Sequence, residues 1–79
     1  MTVTVQYFAI LREQRGLSSE TVDTQAETAG ALYEELRARH GFTLSGGLVR
    51  TSVNLNLCPP GTRLSEGDDV VFIPPVAGG

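Results

Sequence analysis

One stretch constrains this chain more than any other. Asp69-Val70-Val71-Phe72-Ile73 is apolar on both faces and stops at Pro74-Pro75. Side chains alternate sides along a strand, so a strand with one wet face reads apolar, polar, apolar. A strand without that alternation belongs at the centre of its sheet. The two prolines then remove two consecutive ladder donors and end it. With 79 residues the chain has room for one domain and little room for an internal cleft. The remaining elements are therefore arranged around that strand.

Residues 2–10 read as a first strand, with Val3, Val5 and Tyr7 on one face and Thr2, Thr4 and Gln6 on the other. Phe8 and Ile10 share the side of Thr4, which puts apolar surface on the outer face if Val3, Val5 and Tyr7 face the core. Residues 18–24 read as a second strand with a mostly solvated face, joined to the first by a hairpin around Arg15-Gly16-Leu17. Ala29, Leu32, Tyr33 and Leu36 recur at i, i+3, i+4 and i+7, the stripe of an amphipathic helix. Thr28 is its candidate N-cap, although Thr24 with Glu27 also spells a capping box. Glu35 and Arg39 are ordered for an i,i+4 pair, and Gly41 supplies a left-handed stop. Residues 42–49 read as loop. A third strand is expected at about 50–57, where Val53, Leu55 and Leu57 alternate with Asn54 and Asn56, until Cys58-Pro59-Pro60-Gly61 breaks it. Leu64 is an isolated apolar anchor and Gly67-Asp68 a turn. The order is strand, strand, helix, strand, strand, an α+β domain with one helix on one sheet face.

Composition excludes several function classes. Apolar residues make up 41% and charged residues 19%, the balance of a globular chain rather than a disordered one. All six basic residues are arginines, against nine acidic ones, and no basic stripe is visible, so nucleic acid is not expected as a partner. No apolar run approaches the roughly 20 residues that span a bilayer, and the first residues lack the pattern of a signal peptide. A single cysteine, Cys58, leaves no intrachain disulfide and points to a reducing compartment, with the cytoplasm the expected location. Catalytic motifs are missing too. His40 and Cys58 lie far apart without ligand spacing, so no metal site is expected. Asp68-Asp69 would point to opposite faces of a strand. Cys58 has no base near it in sequence and reads as a small apolar residue, while His40 suits the negative end of a helix. Gly46-Gly47 lacks the strand-to-helix context of a phosphate loop.

The C-terminal end carries the chemistry. Pro74-Pro75 favours a stiff, extended exit, and Val76-Ala77 then shrinks to Gly78-Gly79. Without Cβ atoms, that backbone can thread a channel too narrow for other residues and leaves a carboxylate on Gly79 sterically open. A free carboxylate is a poor electrophile, but ATP converts it to an acyl-adenylate with a good leaving group. Sulfide can then replace AMP and leave a thiocarboxylate. A frayed end would have no need for such stiffness.

The ending Pro74-Pro75-Val76-Ala77-Gly78-Gly79 resembles that of the molybdopterin synthase small subunits, the MoaD family of ubiquitin-like sulfur carriers. Tyr7-Phe8-Ala9-Ile10-Leu11-Arg12-Glu13, Val53-Asn54 and Leu64-Ser65-Glu66-Gly67-Asp68-Asp69-Val70 are similar to further segments of that family. The resemblance implies a ubiquitin-like β-grasp: a mixed sheet packed on one main helix, with first and last strands parallel at its centre. It divides the chain into a β-grasp domain, residues 1–73, and an extended Gly-Gly tail, residues 74–79. It also implies that Gly79 is adenylated with ATP by an E1-like, MoeB-like enzyme and that a sulfur donor protein then supplies the sulfur for the thiocarboxylate. A MoaE-like large subunit would hold the catalytic groups and use that sulfur on cyclic pyranopterin monophosphate to form the molybdopterin dithiolene, as a heterotetramer. No bound cofactor is implied for the carrier itself. A carrier feeding thiamine, cysteine or tRNA thiolation, or a ubiquitin-like protein modifier, is the alternative. For docking, the expected surface comprises Phe8, Ile10 and whichever of Phe72 and Ile73 faces outward, on the sheet face away from the helix. Arg12 stands beside it and Pro74, Pro75, Val76, Ala77 and Gly78 enter the partner.

Overall fold

A computed structural model describes residues 1–75. Five strands form one sheet in the order β2-β1-β5-β3-β4: β1 is Thr2–Tyr7, β2 Ser19–Asp23, β3 Arg50–Val53, β4 Asn56–Cys58 and β5 Asp69–Ile73. The doubly apolar strand β5 lies in the middle, parallel to β1 (Thr4↔Asp69 to Tyr7↔Phe72) and antiparallel to β3 (Arg50↔Ile73 to Val53↔Val70). This is the mixed β-grasp sheet that the resemblance implies, and its main helix, α2 (Ala29–His40), covers one face.

Helix α2 starts after Thr28, one of the two N-caps the sequence offers, and stops at Gly41 as expected. The Thr28 hydroxyl accepts from the Ala31 N–H at 3.2 Å, and Gly41 (φ 73°) closes the last turn. The competing Thr24 hydroxyl instead accepts from Ala26 N–H and donates to Glu35. Ala29, Leu32, Tyr33 and Leu36 are buried against Val3, Val5, Tyr7, Val70 and Phe72. Tyr33 meets Phe72 edge to face at 5.2 Å, and Phe42, just past the helix, closes the core edge on to Tyr7. The rigid Pro59-Pro60-Gly61 connection clasps the first turn. Ala29 N–H donates to Thr62 O and Gly30 N–H to Pro60 O, which satisfies two donors that a helix start leaves open.

Two expectations are corrected. The first strand ends at Tyr7 rather than Ile10, and a second helix, α1 (Ala9–Arg15), stands where a hairpin was expected. Apolar residues at 7, 8, 10 and 11 fit either period, and burial of Leu11 decides for the helix. Gly16 (φ 82°) is its C-cap, donating to Arg12 O, rather than the tip of a hairpin. Strands β1 and β2 still pair antiparallel, from Thr2↔Asp23 to Gln6↔Ser19. The second correction divides the expected strand at 50–57 into β3 and β4. The turn Asn54-Leu55 between them is left-handed at both residues (φ 52° and 71°). Such turns match strand twist and usually carry Asn-Gly, so Asn-Leu concealed this one. Leu55 is consequently 87% exposed instead of sharing a core face with Val53.

Candidate functional site

Strand β5 is held by ladders on both sides and delivers the chain to one rim of the sheet. Phe72 points to the α2 side and is fully buried. It is therefore core, and its expected place on a docking surface is corrected: of Phe72 and Ile73, only Ile73 reaches the other face, where it is half-buried. Pro74 is buried and Pro75 exposed. Val76, Ala77, Gly78 and Gly79, which carry the tail chemistry, lie outside the described residues.

Beside the exit, Phe8 and Ile10 are 46% and 38% exposed. Phe8, Ala9, Ile10 and Glu13 together with Ile73, Pro74 and Pro75 line an open groove of about 590 Å³. The structure thus brings Phe8, Ile10, Ile73 and both prolines together, but not on a flat sheet face. Phe8 and Ile10 belong to the β1–α1 junction, because the strand ends before them. The outer sheet face next to them is partly polar, with Gln6 Nε2 donating to the Asp69 carboxylate at 3.1 Å. Arg12 is exposed on α1, one turn beyond Phe8.

One cluster near this wall went unread in the sequence. Glu20 pairs with Val5 in the ladder, which puts its side chain on the core side at the end of β2. There its carboxylate accepts from Arg15 Nε and Nη2, both at 2.8 Å, and from the Tyr7 hydroxyl at 2.7 Å. His40 Nε2 stands 3.9 Å away. Donation from Arg15 holds the Glu20 carboxyl at about 2, well below the usual glutamate range. Burial pushes the Tyr7 phenol up and the His40 imidazole down. The spacing of Glu20 and Val22 was the available signal, since residues two apart on a strand share a face.

Cys58 and His40 are not brought together. Cys58 lies with Gly30 and Pro60 around a hollow of about 370 Å³ near the start of α2, its Sγ donating weakly to Thr51 O at 3.7 Å. His40 is the last residue of that helix, about 15 Å further along its axis. A nucleophile–base pair is thereby ruled out for these two. Among the described residues no helix is long and apolar enough to cross a membrane.

With this geometry in view, the relatives are informative. Residues 5–79 match the model of the ThiS family. The chain is 34% identical over 80 residues to the molybdopterin synthase sulfur carrier subunit of Escherichia coli, covering 98% of this chain and 99% of that one. Among solved structures it resembles SAMP1 of Haloferax volcanii, with TM-score 0.80, 25% identity and full coverage of both chains. It also resembles a chain in the complex of subunits 1 and 2 of the molybdopterin-converting factor from Helicobacter pylori, with TM-score 0.68, 25% identity and full coverage of both. A family match from the middle of β1 to the last residue, on a sheet with β1 and β5 parallel at its centre, leaves one assignment: the chain belongs to the ThiS family.

Proposed function

We propose that this chain is a sulfur carrier, the small subunit of a molybdopterin synthase, and that its reacting group is the carboxylate of Gly79. The carboxylate attacks the α-phosphorus of ATP on an E1-like, MoeB-like enzyme, forming the acyl-adenylate and releasing pyrophosphate. Sulfide equivalents from a sulfur donor protein then displace AMP and leave a thiocarboxylate. In a MoaE-like large subunit, within the cytoplasm, that sulfur passes to cyclic pyranopterin monophosphate. The carrier supplies no acid or base of its own.

The full-length likeness to the sulfur carrier of Escherichia coli carries this reading. The geometry supports it. A tail that must enter two enzymes needs a fixed origin, and β5 provides one, because its ladders pin it up to Phe72 on the β1 side and up to Ile73 on the β3 side. The groove of Phe8, Ile10, Ile73 and Pro74 at that origin offers a partner apolar surface where the tail departs. The likeness to one member of the two-protein complex from Helicobacter pylori supports a large-subunit partner.

The test is intact mass after incubation with ATP, an E1-like enzyme and a sulfur donor. The expected product has one oxygen replaced by sulfur, and deleting Gly79 abolishes it. Pterin sulfuration by a large subunit then separates the molybdopterin pathway from the thiamine, cysteine or tRNA alternatives. The Haloferax volcanii relative is a modifier by name, so attachment to lysines of other proteins, with no thiocarboxylate, would replace the carrier reading by a modifier one.

A further inference from the structure

The β3–β4 hairpin exposes two leucines for which the fold itself supplies no reason. Leu55 in the turn is 87% exposed and Leu57 on β4 is 63% exposed. Leu55 also holds φ 71°, a left-handed conformation that glycine adopts without steric cost. A leucine that is strained and leaves most of its side chain in water marks a surface kept for another molecule. We infer that this hairpin is a second contact for the large subunit that receives the tail, and that Leu55 is the side chain that touches it. The inference deepens the sulfur-carrier reading and rests on it.

The turn is held in place rather than loose. Asn54 Nδ2 donates to the Asp68 carboxylate at 2.9 Å, and Asn54 Oδ1 accepts from the Asp69 N–H at 2.9 Å. The Asn54 N–H donates to Asp69 O at 2.8 Å, and Asn56 Nδ2 donates to Asn54 O at 3.0 Å. These bonds tie the turn to the start of β5. Leu55 is therefore offered at a fixed point, and little ordering remains to be done on binding.

Register places the hairpin on the same side of the sheet as the tail's root. Cys58 shares a row with Thr51 and the buried Phe72, so Leu57, one residue earlier, points away from α2. The row of Leu57 runs through Ser52 to Val71, an apolar residue that stands apart from the core cluster. Ile73 is the next outward residue along β5. The other half of this face is polar: Thr2, Thr4 and Gln6 on β1 stand opposite Asp23, Thr21 and Ser19 on β2. Apolar outer surface therefore runs from the groove across β5 towards β4, and not towards β2.

Size lets one partner reach both places. A specific interface takes about 800 Å² from each protein, a disc of about 16 Å radius. With strands about 4.8 Å apart and about 3.3 Å per residue, Leu57 lies about 12 Å and Leu55 about 15 Å from Ile73. The tail leaves at a rim, so a partner seated over its exit extends inward, along the apolar half, to the hairpin. The likeness to one member of the two-protein complex from Helicobacter pylori supports a large subunit as the occupant. A second copy of this chain fits less well, because β4 offers three residues before Pro59-Pro60, a short edge for strand pairing.

The experiment measures melting temperature and affinity for a purified MoaE-like large subunit on the full chain and on Leu55→Gly, Leu55→Asn and Leu55→Met. Glycine and asparagine both tolerate a left-handed turn. The expected effects have opposite signs. Leu55→Gly and Leu55→Asn melt at or above the wild-type temperature and bind the large subunit about tenfold or more weakly. Leu55→Met keeps an apolar side chain of similar volume and binds within a few-fold of wild type. Lower melting temperatures together with weaker binding would assign Leu55 to the fold and overturn the inference. Unchanged affinity in the glycine and asparagine variants, with Phe8→Ser weakened in the same assay, also overturns it, since the partner then covers the exit and not the hairpin. So does sedimentation of the chain alone that finds a dimer dissolved by Leu55→Gly, which would make a second copy the occupant. A wild type without affinity for the large subunit overturns the subunit reading itself, and this inference with it.

Discussion

At the scale of single residues, Leu55 carries two costs that its neighbours do not explain. Its φ of 71° lies in the left-handed region, and its side chain is 87% exposed. Asn54, beside it, tolerates φ 52° and is tied in, its side chain donating to Asp68 and accepting from the Asp69 N–H. Replacing Leu55 with Gly removes the steric penalty but returns some freedom to the unfolded chain. The expected net gain is about 0.5–1 kcal/mol, read as a rise in melting temperature of a few degrees. A lower melting temperature would mean that Leu55 contributes packing. Phe8 differs, because its exposed ring borders the tail's exit rather than a turn. Phe8→Ser should leave the melting temperature within about 4–8 °C of wild type while weakening large-subunit binding by about tenfold or more. Loss of folding would instead assign Phe8 to the core. Neither environment was legible from residue type alone: Asn-Leu does not spell a turn, and alternation placed Phe8 on a strand that had already ended.

At the scale of elements, legibility followed the number of buried positions. Helix α2 buries four residues in register, so its stripe and its stop could be read, while two candidate caps left its start open by a turn. Strand β5 buries its three central residues, and the lack of alternation placed it correctly at the centre. Helix α1 buries only Leu11, too little to announce a period against the alternating run before it. Gly30 shows how a neighbouring loop shapes an element. In an exposed helix alanine is the better former by about 1 kcal/mol. Here a Cβ would come within 2.9 Å of Pro60 Cβ and 3.1 Å of Pro60 O, so the clasp at the helix start has to open. Gly30→Ala is therefore expected to destabilise by about 1–2 kcal/mol in urea unfolding, against the helix scale. A stabilised variant would mean that the Pro59-Pro60 segment yields freely.

At the scale of the whole molecule, the Glu20 cluster joins parts that the sheet ladder alone does not. Tyr7 comes from β1, Arg15 from the end of α1, Glu20 from β2 and His40 from the end of α2. Since α1 carries the groove wall, this cluster fixes where Ile10 and Glu13 stand relative to the tail's exit. It also makes the fold sensitive to acid. Glu20 titrates at about 2 in the native state against an ordinary 4.5, so the unfolded chain binds the proton more readily. The stability it contributes is complete above its unfolded value and is lost as pH falls from about 4.5 towards 2. The His40 imidazole, which faces Arg15, Glu20 and Arg39, is shifted down from 6.5, so protonation begins to favour unfolding just below that pH. Both groups act in the same direction: acid destabilises in a shallow step and then a steeper one. Glu20→Gln keeps the shape but leaves Arg15 without its carboxylate. Near neutral pH it should cost about 1–3 kcal/mol in urea unfolding. Its stability should also fall less steeply than that of wild type between about pH 4.5 and 2, because the group that titrates there is gone. A variant whose acid limb parallels the wild type would show that other carboxylates set the limit. Large-subunit binding measured on the same variant near neutral pH, where it remains folded, then reports whether the cluster positions the groove. Weaker binding without unfolding is the expected result, and unchanged binding would confine the cluster to stability.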